Sequence, residues 1–209
     1  MERLGRKNTG RDTRGSYCLE HRKYLKRQFL LAAAPVLAGV KPSSLMSFPI
    51  CCRDVWETYK KHIHNTTGLL AEELYPKKEK VFLLIYNETL MNEHLKSSAA
   101  RELLCRYNYP SDGSLDRLLS HLKGRFCDDE FPHEIGIFFG YPTKDVKAFI
   151  EKGGRDYLCC RYWKVYHDEQ GAKKTFSFID KAKAHATSLI AQQTPVFEAT
   201  KILANLQFT

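Results

Sequence analysis

Apolar positions recur along the chain at two spacings. Val81-Phe-Leu-Leu-Ile-Tyr86 is an unbroken apolar run between Lys80 and Asn87, and predicts a strand buried on both faces, as in a parallel sheet. Ile135 to Phe139 and Tyr157 to Tyr166 predict two further strands, the second rich in aromatic and β-branched residues. Leu45 to Cys51 reads as a short strand. Helical spacing is clearest at Leu115, Leu118, Leu119, Leu122 and Phe126, behind Ser114 as a cap. It recurs at Val55, Trp56, Tyr59 and Ile63 behind Asp54, and at Leu90, Met91 and Leu95 with a second stretch through Leu104. Thr143 is expected to cap a helix carrying Val146, Phe149 and Ile150, stopped by Gly153-Gly154. A long helix carries Phe176, Ile179, Ala182, Ala186 and Ile190; Pro195 breaks it and a last helix runs through Leu206. A first helix is expected from Leu19 to Ala33, and loops at Asn65–Gly68 and Pro76–Lys78.

Strands separated by helical patterns predict an α/β fold. The expectation is a single compact, helix-rich domain over residues 28–209. It has a small parallel or mixed sheet of about three strands, in which 81–86, 135–139 and 158–165 are neighbours. No run of 18 apolar residues is present, so no membrane span is expected.

Charge changes the picture at one end. The 209 residues hold 33 Lys plus Arg and 24 Asp plus Glu. Residues 1–27 carry nine basic groups against three acids, so most of the +9 net charge belongs to a basic extension, expected to be partly disordered. Such an arm makes nucleic acid a possible partner, or is simply solvated chain. Phe29 to Val40 follows this basic segment, but Pro35 interrupts it and no cleavage site follows, so it reads as buried helix rather than a signal peptide. Seven cysteines, an odd number, argue against a complete disulfide framework and suit the reducing cytoplasm. A composite metal site of Cys51, Cys52, His62 and His64 is conceivable. Adjacent strand residues point to opposite faces, however, and no metal is expected.

The common nucleotide, protease and hydrolase motifs are missing, and nothing identifies a cofactor. The most unusual segment is Phe131-Pro-His-Glu-Ile-Gly-Ile-Phe-Phe-Gly-Tyr-Pro142. If a strand ends at Phe139, Gly140 permits close backbone approach and the helix start at Thr143 offers free N–H groups to an anion. The candidate ligand-binding residues are therefore Gly140, Tyr141 and Thr143, with Lys41 or Lys164 adding positive charge. Tyr141 filling that space in a structural turn is the competing account. Lys41, beside Gly39 and Ser43, equally marks a helix boundary with Ser43 as a cap. His133 and Glu134 are candidates for acid–base catalysis, although Glu134 is equally suited to pairing with a Lys or Arg of another element.

Taken together, Ala34–Leu45, Val81–Leu90, Phe131–Val146 and Trp163–Tyr166 resemble a clostridial family known only as a domain of unknown function, number thirty-seven ninety-three. The resemblance runs from about residue 30 to about residue 185 and is most specific in His133-Glu-Ile-Gly…Gly140-Tyr-Pro142. The segment before Gln28 departs from the family's usual start. The resemblance implies a bacterial cytoplasmic protein and assigns no activity to any residue. Three readings follow: a domain binding a small ligand or protein partner without catalysis, an enzyme acting on an anionic substrate through His133, Glu134 and a lysine, or a nucleic-acid binder.

Overall fold

Strand β3 (Lys80–Tyr86) is the centre of the molecule. A computed structural model describes residues 13–77, 79–126 and 131–208, without the side chains of residues 13–19, 62 and 75–77. In it β3 lies between β1 (Ser43–Pro49) and β2 (Leu70–Lys77), in the order β1-β3-β2. Both pairings are antiparallel: Ser43 faces Tyr86 and Pro49 faces Lys80 on one edge, and Leu70 faces Tyr86 on the other. The expected parallel or mixed sheet is thus corrected. The double burial that suggested it is real, but it comes from helices on both faces of an antiparallel sheet.

Val81, Leu83 and Ile85 join Met46 and Phe48 in one core, shared with α1 (Thr13–Leu37), α2 (Arg53–Thr67), α8 (Glu169–Ala191) and α9 (Val196–Ala204). Leu84 and Tyr86 join Leu74 in a second core on the opposite face. That core is closed by α3 (Glu88–Leu95), α4 (Ser98–Cys105), α5 (Leu115–Arg125), α6 (Ile135–Phe138) and α7 (Thr143–Glu151). The described residues therefore make one helix-rich domain of two helical layers around a sheet. None of its helices is long and apolar enough to cross a membrane.

Three local expectations are corrected. Ile135–Phe138 is one turn of helix, not a strand, because four apolar residues carry no period of their own and the tertiary setting decides. Of residues 157–166, only Cys159–Cys160 (β4) and Lys164–Val165 (β5) pair, as a hairpin in a separate two-stranded sheet. Strand β2 has no apolar run and was expected to be loop at its Pro76 end. It forms because Gly68, at φ 66°, ends α2 and returns the chain along the edge of β3, where proline is tolerated.

Helix α1 starts earlier than expected and passes unbroken through residue 27, burying Leu25, Phe29, Leu30 and Ala33. Residues 1–12, which hold much of the expected basic extension, lie outside the described residues. Ser43 opens β1 rather than capping a helix, and its hydroxyl donates to the Phe138 carbonyl at 2.7 Å.

Gly140 ties these parts together. It sits at φ 76°, and a Cβ there would lie 2.3 Å from Pro42 Cδ. Gly140 is thus needed for packing on Pro42, and a bulkier residue attacks the fold itself. Gly140→Ala is expected to destabilise the protein by roughly 2 kcal/mol, or about 4–8 °C of melting temperature. Gly39→Ala, also at positive φ but with no atom within 4 Å of the new Cβ, is expected to cost about half as much. Thermal unfolding of the two variants side by side checks the difference.

Candidate functional site

The second core ends in a bend that builds a cavity. Pro132 starts the turn by accepting from the Ile135 N–H at 3.1 Å, and Gly140 reverses the chain. The Tyr141 N–H then bonds the Gly136 carbonyl at 3.0 Å, folding Tyr141 back onto α6. Gly136 makes this possible: a Cβ there would meet Val146 Cγ2 at 2.9 Å. Helix α7 follows, with Pro142 and not Thr143 at its N-cap, so the expected Thr143 cap is corrected. Proline is well suited to this boundary because its φ is already fixed near the required value.

Asp145, in the first turn of α7, is 2% exposed. Its carboxylate accepts from Trp163 Nε1 at 2.9 Å, from the Tyr166 N–H at 2.9 Å and from His167 Nδ1 at 3.1 Å. These bonds fasten the β4–β5 hairpin to α7 and orient the Trp163 indole. Trp163 stacks on Tyr141 with ring centroids 4.9 Å apart, and Tyr141 in turn meets Phe139 at 5.6 Å. A second chain of touching rings runs Phe131–His133–Phe149, at 6.1 and 5.1 Å. Together with Ile135, Gly136 and Val146 these rings enclose a cavity of about 170 Å³, open to solvent on one side. Lys164 also lines it. Its ammonium donates to the Gly154 carbonyl at 2.7 Å and lies over the rings of Tyr157 and Phe149 at 4.9 and 5.6 Å. Burial pushes the Tyr141 phenol up to about 12, so it is neutral at physiological pH.

The residues singled out in the sequence divide between this cavity and its surroundings. Tyr141, Lys164 and His133 line it; Gly140, Thr143, Lys41 and Glu134 do not. Glu134 turns the other way, 1% exposed, accepting from Arg125 Nε at 2.9 Å and the Tyr109 hydroxyl at 3.3 Å. His133 and Glu134 therefore do not form an acid–base pair across the cavity. Phe131, Phe139, Phe149, Trp163 and Asp145 belong to the site and were not recognised as candidates. Phe131 and Phe139 lie within the unusual 131–142 segment, the density of aromatic residues between 131 and 166 is the further signal for the rings, and Asp145 has no signal of its own.

Lys41 stands behind the cavity wall. Its ammonium lies 5.3 Å from the ring centroids of both Phe139 and Tyr141. Burial, and secondarily the charge of Lys183, lower its pKa from 10.5 to about 7. The unfolded chain therefore holds a proton on Lys41 between pH 7 and pH 10.5 that the folded chain has lost. In that window stability rises with pH, and below pH 7 the full cost of a buried ammonium is present. Lys41→Met is expected to raise the melting temperature at pH 6 by a few degrees, about 1 kcal/mol or more, and by less at pH 9. Calorimetry of both proteins at the two pH values measures the difference; an equal gain at both would contradict the assignment.

No curated protein and no solved structure matches the chain significantly. A family model matches residues 29–200, which span the central sheet, the second core, the cavity, most of the first core and most of α9. On that match, the chain belongs to the family described as "Protein of unknown function (DUF3793)".

Proposed function

We propose that this is a small-molecule-binding domain whose ligand is a single-ring, planar apolar body carrying one negative charge. The observation that carries this reading is the aromatic cavity with Lys164 in its lining. Ring faces and edges favour a flat apolar guest, and an ammonium beside them favours a carboxylate or similar anion over a cation. Size narrows the class. A cavity of roughly 150 Å³ is enough for benzene, whereas pockets that enclose drug-sized ligands run to roughly 300–1,000 Å³. At about 170 Å³ the cavity suits one ring and does not enclose a nucleotide. Tyr141 and Lys164 are the contacts assigned to the ligand, the first by its ring and the second by its charge.

Binding is favoured over catalysis by the placement of the acids. Asp145 holds the hairpin and Glu134 faces Arg125 and Tyr109, which leaves His133 and Lys164 as the titratable groups of the lining besides Tyr141 and Asp145. A cytoplasmic location is part of this reading, supported by the thiol-rich composition.

Trp163 provides the readout, because the chain has two tryptophans and the other, Trp56, is buried in the first core. Benzoate is expected to change the Trp163 fluorescence saturably, and benzylamine, of the same shape and opposite charge, to bind at least about tenfold more weakly. Lys164→Gln is expected to weaken benzoate by about tenfold while leaving benzyl alcohol unchanged. Benzylamine binding as well as benzoate, or no saturable change with any of the three, would overturn the proposal.

A further inference from the structure

A second cluster of chemically capable side chains lies away from the cavity, where β1 hands over to α2. The chain makes this connection through a 3-10 turn, Ile50–Cys52, packed against α1. In a strand Cys51 and Cys52 would point to opposite faces, which was the ground for expecting no metal here. A 3-10 turn, with three residues per turn, rotates successive side chains by only about 120°. The two thiols accordingly stay close, with their sulfurs within 4.8 Å of each other. From α1, thirty residues earlier, His21 brings its Nε2 to 3.8 Å from Cys51 Sγ. The imidazole nitrogen and both sulfurs lie within 4.8 Å of one another.

The His21–Cys51 separation is close to what a shared ion requires, and Cys52 lies within reach of both. Zinc bound tetrahedrally at about 2.3 Å from sulfur and about 2.0 Å from nitrogen holds neighbouring ligand atoms roughly 3.5–3.8 Å apart. The setting is also suitable. Cys52 is buried and closes one side, while Cys51 is exposed and His21 half-buried, so an ion can enter from solvent. Two thiolates balance the charge of a divalent ion, and three protein ligands leave a fourth position for water. His64 is not part of the group: its Nδ1 faces the Leu69 carbonyl at 3.4 Å. The side chain of His62 lies outside the described residues.

We propose that His21, Cys51 and Cys52 form a binding site for one zinc ion, with water as the fourth ligand. Each thiol gives its proton to solvent as its sulfur binds the metal, so two protons leave for each ion taken up and no oxidation state changes. The ion would pin the N-terminal half of α1 to the β1–α2 turn. The site is independent of the aromatic cavity and of its proposed ligand.

The test uses the full-length chain, reduced and freed of metal, titrated with cobalt(II) as a spectroscopic stand-in. One equivalent is expected to give thiolate-to-cobalt charge-transfer absorption in the near ultraviolet and the visible bands of a tetrahedral ion, both removed by one equivalent of zinc(II). Cys52 belongs to the core, so the exposed Cys51 carries the test. Cys51→Ser and His21→Ala are each expected to weaken cobalt binding by about tenfold or more. Cys105→Ser, at an exposed thiol on α4, is expected to leave it unchanged. Absence of the charge-transfer band, or a band that persists undiminished in both Cys51→Ser and His21→Ala, would overturn the site.

Discussion

A strand with apolar side chains on both faces cannot rest on a surface; it has to be enclosed. β3 imposes this demand, with Val81, Leu83 and Ile85 on one face and Leu84 and Tyr86 on the other. Each such side chain gains about 1.5–3 kcal/mol on full burial, so the strand is stable only with a helical layer on either side. Its two edges are met by β1 and β2. The position of the cavity follows from this arrangement, because the segment leading into β1 is also the support of the cavity wall. Pro42 lies under Gly140 and accepts from the Asn87 N–H at 3.0 Å, at the end of β3. Ser43 bonds the last carbonyl of α6, and Lys41 lies over Phe139 and Tyr141. Three consecutive residues thus couple the central sheet to the rings that shape the site.

The same coupling explains which parts of the molecule were legible in the sequence. β3 and α5 declare themselves because each carries its own period, a continuous apolar run in one and a stripe at helical spacing in the other. The amphipathic stripes of α7 and α8 are equally plain. α6 is different: Ile-Gly-Ile-Phe is as compatible with strand as with helix, and what decides is a hydroxyl 95 residues away and a glycine fitted against proline. β2 was hidden for a related reason, since its order comes from pairing with β3 and not from a pattern in Leu70–Lys77. The candidate site divides along the same line. His133, Tyr141 and Lys164 stand out locally, but the rings of Phe131, Phe149 and Trp163 converge only because Asp145 fixes the hairpin against α7.

Asp145 and Glu134 also bear on what kind of site this is. A buried carboxylate is stable only when its charge is met by donors. Asp145 has three, all from the 163–167 segment, and Glu134 has Arg125 and Tyr109. Both acids are therefore engaged in holding the walls in place. For Tyr109, burial and the adjacent Glu134 raise the phenol well above its usual range, so it donates and is not a base. What faces the cavity is then mostly ring and aliphatic surface, with an imidazole and an ammonium. A general acid–base pair needs a base within hydrogen-bond reach of the proton it takes, and the carboxylate adjacent to His133 in sequence is turned to the opposite side. In the binding reading proposed above, the ammonium sets the sign of the guest while the rings set its shape. The acids thus give rigidity to the walls, and the cavity they frame is left to ring surface, an imidazole and an ammonium.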